Sequence, residues 1–148
     1  MSFDLERFVD AQEGVYEGVL RELRAGRKTG HWIWFIFPQL AGLGRSEMSR
    51  FYGIASSDEA RAHLDHPVLG PRLRECVGAV LASSGLSADQ IFGSLDAMKV
   101  RSSMTLFHRA APDEPSFVEV LERFYGGVAD AATDAMLGTS PSDATLDG

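Results

Sequence analysis

The sequence predicts a mainly α-helical fold, a compact single-domain bundle of about seven helices, and three observations predict it. Apolar residues recur at three- and four-residue steps along most of the chain, which is the period of one helix face. The stretches with that period open on Ser, Asp or Pro and close on Gly, the residues that cap helices. The length of 148 residues suits one domain. At that size roughly two-thirds of the unfolded surface is buried on folding, enough for a core without staples.

Leu5, Phe8, Val9, Val15, Tyr16, Val19, Leu20 and Leu23 form the first apolar stripe. Ser2 or Asp4 can cap it, and Gly26 ends it. Residues 31–37 are apolar at both parities, so a strand buried on both faces and a short buried helix fit this aromatic-rich segment (31–38) equally. Pro38 ends either one, and Gly42-Leu43-Gly44 gives a turn. Ser46 can cap a short helix through Tyr52. Ser56 and Glu59 have capping-box spacing and open a helix to about Leu64. Pro67, preceded by Asp65 or His66, stands at the first turn of the next helix. That helix carries Leu69, Leu73, Cys76, Val77, Val80 and Leu81 and ends by Gly85. Ser87 and Gln90 repeat the box, and Gly93 cuts the element short. Leu95–His108 reads as helix. Asp113 and Pro115 open the last strong helix, with Phe117, Val118, Val120, Leu121, Phe124 and Tyr125 inward and Gly126-Gly127 at its end. Residues 130–137 form a short amphipathic helix. Residues 139–148 are small and polar and are expected to be a disordered tail, leaving a domain over 1–138. No internal repeat and no Pro/Ser-rich linker divides the chain.

Hydrophobic content of 45% and charged content of 24% are ordinary globular values. The net charge of −7 argues against wholesale binding to nucleic acid or to an anionic membrane. Arg21, Arg24, Arg27 and Lys28 leave either a local basic patch or a solvated helix end. The N-terminus has neither a basic nor an apolar signal-peptide region, and no apolar run approaches the ~18 residues of a membrane span, so a cytoplasmic location is expected. Cys76 is the single cysteine, so no internal disulfide can form, and its apolar neighbours predict a buried structural thiol.

Several chemistries fail on spacing. Gly26-Arg-Lys-Thr-Gly30 lacks the phosphate-loop pattern, and no GxSxG, HExxH or GxGxxG motif is present. His63 and His66, with Glu59 and Asp65 nearby, could hold a metal only on a continuous helix. Pro67 interrupts it, so no metal site is expected, and no cofactor is implied.

Two stretches carry candidate chemistry. The block from Gly30 to Gln39 holds both tryptophans and two of the nine phenylalanines. Lys28 and His31 lie at one end and Gln39 at the other. Each indole N–H needs a partner when buried. The block is either core or a stacking wall for a flat ring or a sugar. In the second stretch, Asp96, Lys99 and Ser103 share a helix face, while Ser102, Ser103 and Thr105 supply three hydroxyls. These are either a surface ion pair with hydroxyls turned onto the backbone, or a polar stripe facing phosphate or ribose oxygens.

Taken together, Lys28-Thr-Gly-His31-Trp32-Ile-Trp34-Phe35-Ile-Phe37-Pro38-Gln39-Leu-Ala-Gly42-Leu43-Gly44, His66-Pro67-Val68-Leu69-Gly70-Pro71-Arg72-Leu73 and Ile91-Phe92-Gly93-Ser-Leu-Asp96-Ala-Met-Lys99-Val-Arg-Ser102-Ser103-Met104-Thr105-Leu106-Phe107 resemble the bacterial family catalogued as domain of unknown function 1810. The resemblance runs from about Leu5 to Leu137. It implies a compact, mainly helical domain and brings no settled activity. Some members of that family carry the label calpastatin, for which this composition gives no support, because such an inhibitor is a long disordered repeat chain. The order of Glu59-Ala60 and a later Met98-Lys99 helix is also similar to the NADAR family, which acts on N-glycosidic bonds of ribosyl compounds related to ADP-ribose. The leading expectation is a pocket for a phosphorylated ribosyl or nucleotide-like molecule such as ADP-ribose. Trp32 or Trp34 would form the wall. Lys28, His31 and Lys99 would meet phosphate, and Gln39, Ser102, Ser103 and Thr105 would bond ribose or base edges. If an N-glycosidic bond is hydrolysed, Asp96 would stabilise the oxocarbenium ion or activate water. The alternative is a non-catalytic protein-interaction module whose aromatic block is core.

Overall fold

The computed structural model describes residues 3–138, and among them the regular elements are all helices. Ten helices are present: α1 (Glu6–Gln12), α2 (Tyr16–Arg24), α3 (Ile33–Ile36), α4 (Glu47–Phe51), α5 (Ser57–Asp65), α6 (Leu69–Ala82), α7 (Ala88–Phe92), α8 (Ser94–Ala110), α9 (Pro115–Tyr125) and α10 (Ala131–Leu137). Seven of these have seven residues or more, and α3, α4 and α7 are shorter. The expected tail at 139–148 lies outside the described residues.

The expected first helix is two helices. Gly14 adopts φ +77°, a left-handed turn that suits glycine, and it redirects the chain between α1 and α2. Helix α1 then packs on α3 and α2 on α6, and Val15 is turned out to solvent. Gln12 at the break is buried, donating to Phe35 O at 2.9 Å and accepting from Arg72 Nη1 at 3.2 Å.

The ambiguous segment at 31–37 is a single helical turn, α3, with Ile33, Phe35 and Ile36 all buried. A segment covered on every side has no polar face to set a period, which is why its sequence fits two readings. After Pro38 the chain is briefly extended: Ile54 N–H donates to Gln39 O at 2.9 Å and Ala41 N–H to Ile54 O at 2.7 Å.

Ser46, Ser56, Ser87 and Asp130 cap helices, whereas α1 starts from Leu5 and α9 from Glu114 with no side-chain cap bond, so neither Asp4 nor Asp113 serves as a cap. Ser56 accepts from Glu59 N–H at 3.1 Å, but Glu59 reaches past Ser56 to accept from Ala55 N–H at 2.8 Å. Its other oxygen pairs with Arg7 Nη2 at 2.9 Å. At α6, His66 Nδ1 takes the role of a capping oxygen, accepting from Val68 N–H at 3.1 Å and Leu69 N–H at 3.2 Å. Pro67 lies just ahead of the helix. Ser87 and Gln90 close the second box in both directions, and Gly93 at φ +82° separates α7 from α8.

Helix α8 is the axis of the molecule. Helices α5, α7, α9 and α10 pack on it, α3 touches it, and α6 lies against α2, α5 and α9. The core runs through Phe8, Leu23, Ile33, Phe37, Leu69, Met104, Phe107 and Phe117, all essentially inaccessible to solvent. Cys76 is buried in it, and burial pushes its thiol up to about 12, so it is no nucleophile at neutral pH.

Candidate functional site

A cleft of about 370 Å³ opens where three elements meet. Residues 39–44 supply Gln39, Leu43 and Gly44. The first half of α8 supplies Leu95, Met98, Lys99, Arg101 and Ser102. The start of α10 supplies Asp130 and Ala132. Leu95 and Met98 are 73% and 66% exposed, far more than apolar residues on a packed helix. Gly44 lets the loop pack closely on Ser49, whose side chain an added Cβ would strike.

Two cations flank the cleft. Arg101 Nε donates to Val128 O at 2.9 Å, with its guanidinium 6.0 Å from the Tyr125 ring centre. Lys99 Nζ lies 3.5 Å from Asp96 Oδ1, at the limit of a hydrogen bond. Asp96 Oδ2 is held at 2.6 Å by Lys28 Nζ. Lys28 in turn donates to Gly30 O at 2.5 Å and lies 5.1 Å from the Trp32 ring centre. Asp130 is the carboxylate that lines the cleft. Its Oδ2 caps α10, accepting from Thr133 N–H at 3.0 Å and from the Thr133 hydroxyl at 2.6 Å.

Glu22 holds the loop behind these lysines. Its Oε1 accepts from Thr29 N–H at 2.7 Å, Gly30 N–H at 2.9 Å and Trp32 Nε1–H at 3.0 Å. Burial raises the Glu22 carboxyl, but the Gly30, Thr29 and Trp32 donors outweigh it and hold the group below the usual range. Gly30 is needed there, since a Cβ would approach Trp32 Cδ1 to 2.9 Å.

The residues singled out from sequence therefore part company. Gln39, Lys99 and Ser102 line the cleft, and Asp96 and Lys28 sit one and two contacts behind Lys99. Neither indole lines it. Trp32 is buried beside Phe37, with its N–H committed to Glu22. Trp34 is half-buried, and among the described residues nothing accepts from its Nε1. The lining of the cleft is aliphatic in place of an indole, because the helical turn of α3 buries Ile33, Phe35 and Ile36 and, of this block, Gln39 reaches the cleft. His31 is exposed and absent from the lining. Ser102 Oγ donates to Met98 O at 3.2 Å and Thr105 Oγ1 to Arg101 O at 2.8 Å. Thr105 also accepts from Asp130 N–H at 2.9 Å, so it fixes the cleft's edge from within. Ser103 is fully buried without a partner for its hydroxyl among the described residues.

Sequence reasoning missed Arg101, Asp130, Leu95 and Met98. A signal existed for the last two: they fall outside the stripe of Ala97, Val100, Met104 and Phe107 that α8 buries.

Two other places were candidates. A larger cavity of about 700 Å³ lies by α5, α6 and residues 110–115. Its arginines are already engaged, Arg74 with Glu114 at 2.8 and 3.0 Å and Arg61 with Ala110 O at 3.0 Å. His63 is sealed between Phe8 and Phe107, and burial, with the His66 and Arg7 charges, pushes it down to about 3. Glu59 is engaged by Arg7 and by Ala55 N–H, and similarity to the NADAR family is not shown.

No helix among the described residues is long and apolar enough to cross a membrane. No curated protein matches the chain at a significant level. The chain is similar to the conserved hypothetical protein Rv1873 from Mycobacterium tuberculosis, known from a crystal structure. The two are 54% identical and superpose with a TM-score of 0.91, over 93% of this chain and 99% of that one. The model of a family described as protein of unknown function, DUF1810, matches residues 2–137, and the chain belongs to that family.

Proposed function

We propose that the cleft binds a small phosphorylated molecule of ribosyl or nucleotide type. The observation that carries this reading is the convergence of Lys99, Arg101 and Ser102 from α8 with Gln39 from the far end of the aromatic segment. A Lys and an Arg lining one cleft suit phosphate oxygens, and Gln39 offers both a donor and an acceptor for a sugar or base edge. Leu95, Met98 and Leu43 offer an apolar bed for a planar group, with the Met98 thioether suited to an aromatic ring. A volume of about 370 Å³ falls within the range of small-ligand pockets.

Hydrolysis of an N-glycosidic bond would need a carboxylate facing the sugar carbon. Asp96 is committed to two lysines and does not line the cleft. If the bond is cut, Asp130 is the better-placed carboxylate. Thermal unfolding in the presence of ribose 5-phosphate, AMP and ADP-ribose tests the binding reading. A ligand at 100 times its dissociation constant adds about 2.7 kcal/mol, which raises Tm by about 5–10 °C at this length. The exposure of Leu95 and Met98 supports the second reading, a protein-interaction surface. A screen that leaves Tm unmoved by all three ligands favours it.

A further inference from the structure

We propose that Asp96 is a resident competitor for Lys99, and that Lys99 is a movable hook that a phosphate draws off Asp96 on binding. The inference rests on the reading of the cleft as a phosphate site. It assigns Asp96 a positioning role in place of a catalytic one.

The two lysines on Asp96 are held very differently. Lys28 is 7% exposed and bound to Asp96 Oδ2 at 2.6 Å. Its backbone N–H donates to Ile91 O at 2.8 Å, and Glu22 anchors the next two residues, so this partner cannot leave. Lys99 is 27% exposed and stands 3.5 Å from the other oxygen. It makes no other hydrogen bond among the described residues, and it rises from a rigid helix on a flexible four-carbon stem. When Lys99 swings into the cleft, Lys28 still neutralises Asp96. Little is lost at 3.5 Å, and no carboxylate is left unpaired. A phosphate monoester carries a charge of about −1.5 to −2 and three acceptor oxygens, so it outcompetes a carboxylate of unit charge already shared with Lys28. Arg101 supplies a second cation to the lining, and Asp130 the one carboxylate among the lining residues that an anion must tolerate.

The experiment is a double-mutant cycle on ligand affinity, using ribose 5-phosphate and ADP-ribose as charged probes and ribose as the neutral control. Asp96→Asn removes the competitor and is expected to tighten both charged probes about three- to tenfold while leaving ribose unchanged. In a Lys99→Met background the same change is expected to have no effect. A gain that persists in Lys99→Met is a general field effect and overturns the hook. Weaker binding by Asp96→Asn while the wild type binds also overturns it, and leaves the cleft standing. Failure of wild type and Asp96→Asn alike to bind either charged probe removes the cleft reading and this inference with it. Should Asp96→Asn fail to fold because Lys28 is left buried, Lys28→Met/Asp96→Asn replaces the pair with neutral groups and carries the same expectations.

Discussion

Two ion pairs show how differently one molecule uses the same chemistry. Arg7–Glu59 joins α1 to the start of α5, with side chains only 10% and 4% exposed. Both Glu59 oxygens have donors, and Arg7 also donates to Phe51 O and Gly53 O at 2.8 Å each and to Asp4 O. Lys28–Asp96–Lys99 starts from an equally tight contact but ends on a loose one beside a cleft. A saturated pair can only hold the fold together, whereas a pair with slack on its solvent side can exchange partners at small cost. On the proposed reading of the cleft, slack, more than the presence of charge, separates site from scaffold.

The largest effect is expected where the pair is saturated. Arg7→Met leaves Glu59 buried and uncompensated, and urea unfolding should show a loss of about 3–5 kcal/mol. A loss below about 1 kcal/mol would mean that the pair is no more structural than a surface one and would erase the contrast.

His63 tests the same region through pH. Its folded-state value of about 3 lies below the ordinary 6.5, so the unfolded chain takes up the proton first. Stability is therefore full above about pH 6.5 and falls as the pH drops toward 3, by a few kcal/mol at one unit per ~1.4 kcal/mol. His63→Phe should flatten that part of the stability–pH curve. An unchanged curve would assign the acid sensitivity to other groups. The neighbouring Phe8 and Phe107 rings suit a phenyl replacement.

How much of this was legible in the sequence depends on what each signal reports. Caps are local chemistry, so Ser46, Ser56, Ser87 and Asp130 were readable as helix starts. The break at Gly14 was hidden because the apolar steps continue across it, and periodicity reports which residues face inward but not the direction of the axis. Gln39, Lys99 and Ser102, which line the cleft, stood out in the sequence because polar groups bounding an apolar run or sharing a helix face do. Aromatic bulk marks a core and a wall alike, and the depth of Trp32, with its bond to Glu22, sets that indole in the core and off the cleft. Arg101 and Asp130 were not legible as a pair. Nothing local brings residues 101 and 130 together; the α8–α9 packing and the Thr105 bond to Asp130 N–H do so.

Lys28→Met falls between the two extremes. The replaced ammonium is nearly buried but its partner Asp96 is partly exposed and keeps Lys99, so the loss should be about 1–3 kcal/mol, below that of Arg7→Met. A larger loss would make the Lys28 end as structural as Arg7–Glu59 and place all the slack on Lys99 alone.

The smallest stability effect, and the sharpest separation, is expected at Lys99. A 3.5 Å pair at a partly exposed helix position contributes little, so Lys99→Met should change unfolding free energy by less than about 0.5 kcal/mol. Its effect on phosphate binding should be much larger, tenfold or more in Kd for ribose 5-phosphate or ADP-ribose, because a charge-assisted bond in the cleft is lost. Denaturant melts and titration calorimetry on the same protein measure both quantities. A residue whose removal leaves the fold untouched and the ligand weakly held belongs to the site. A stability loss comparable to that of Lys28→Met, with binding unchanged, would return Lys99 to the scaffold and leave α8 with no residue free to receive an anion except Arg101.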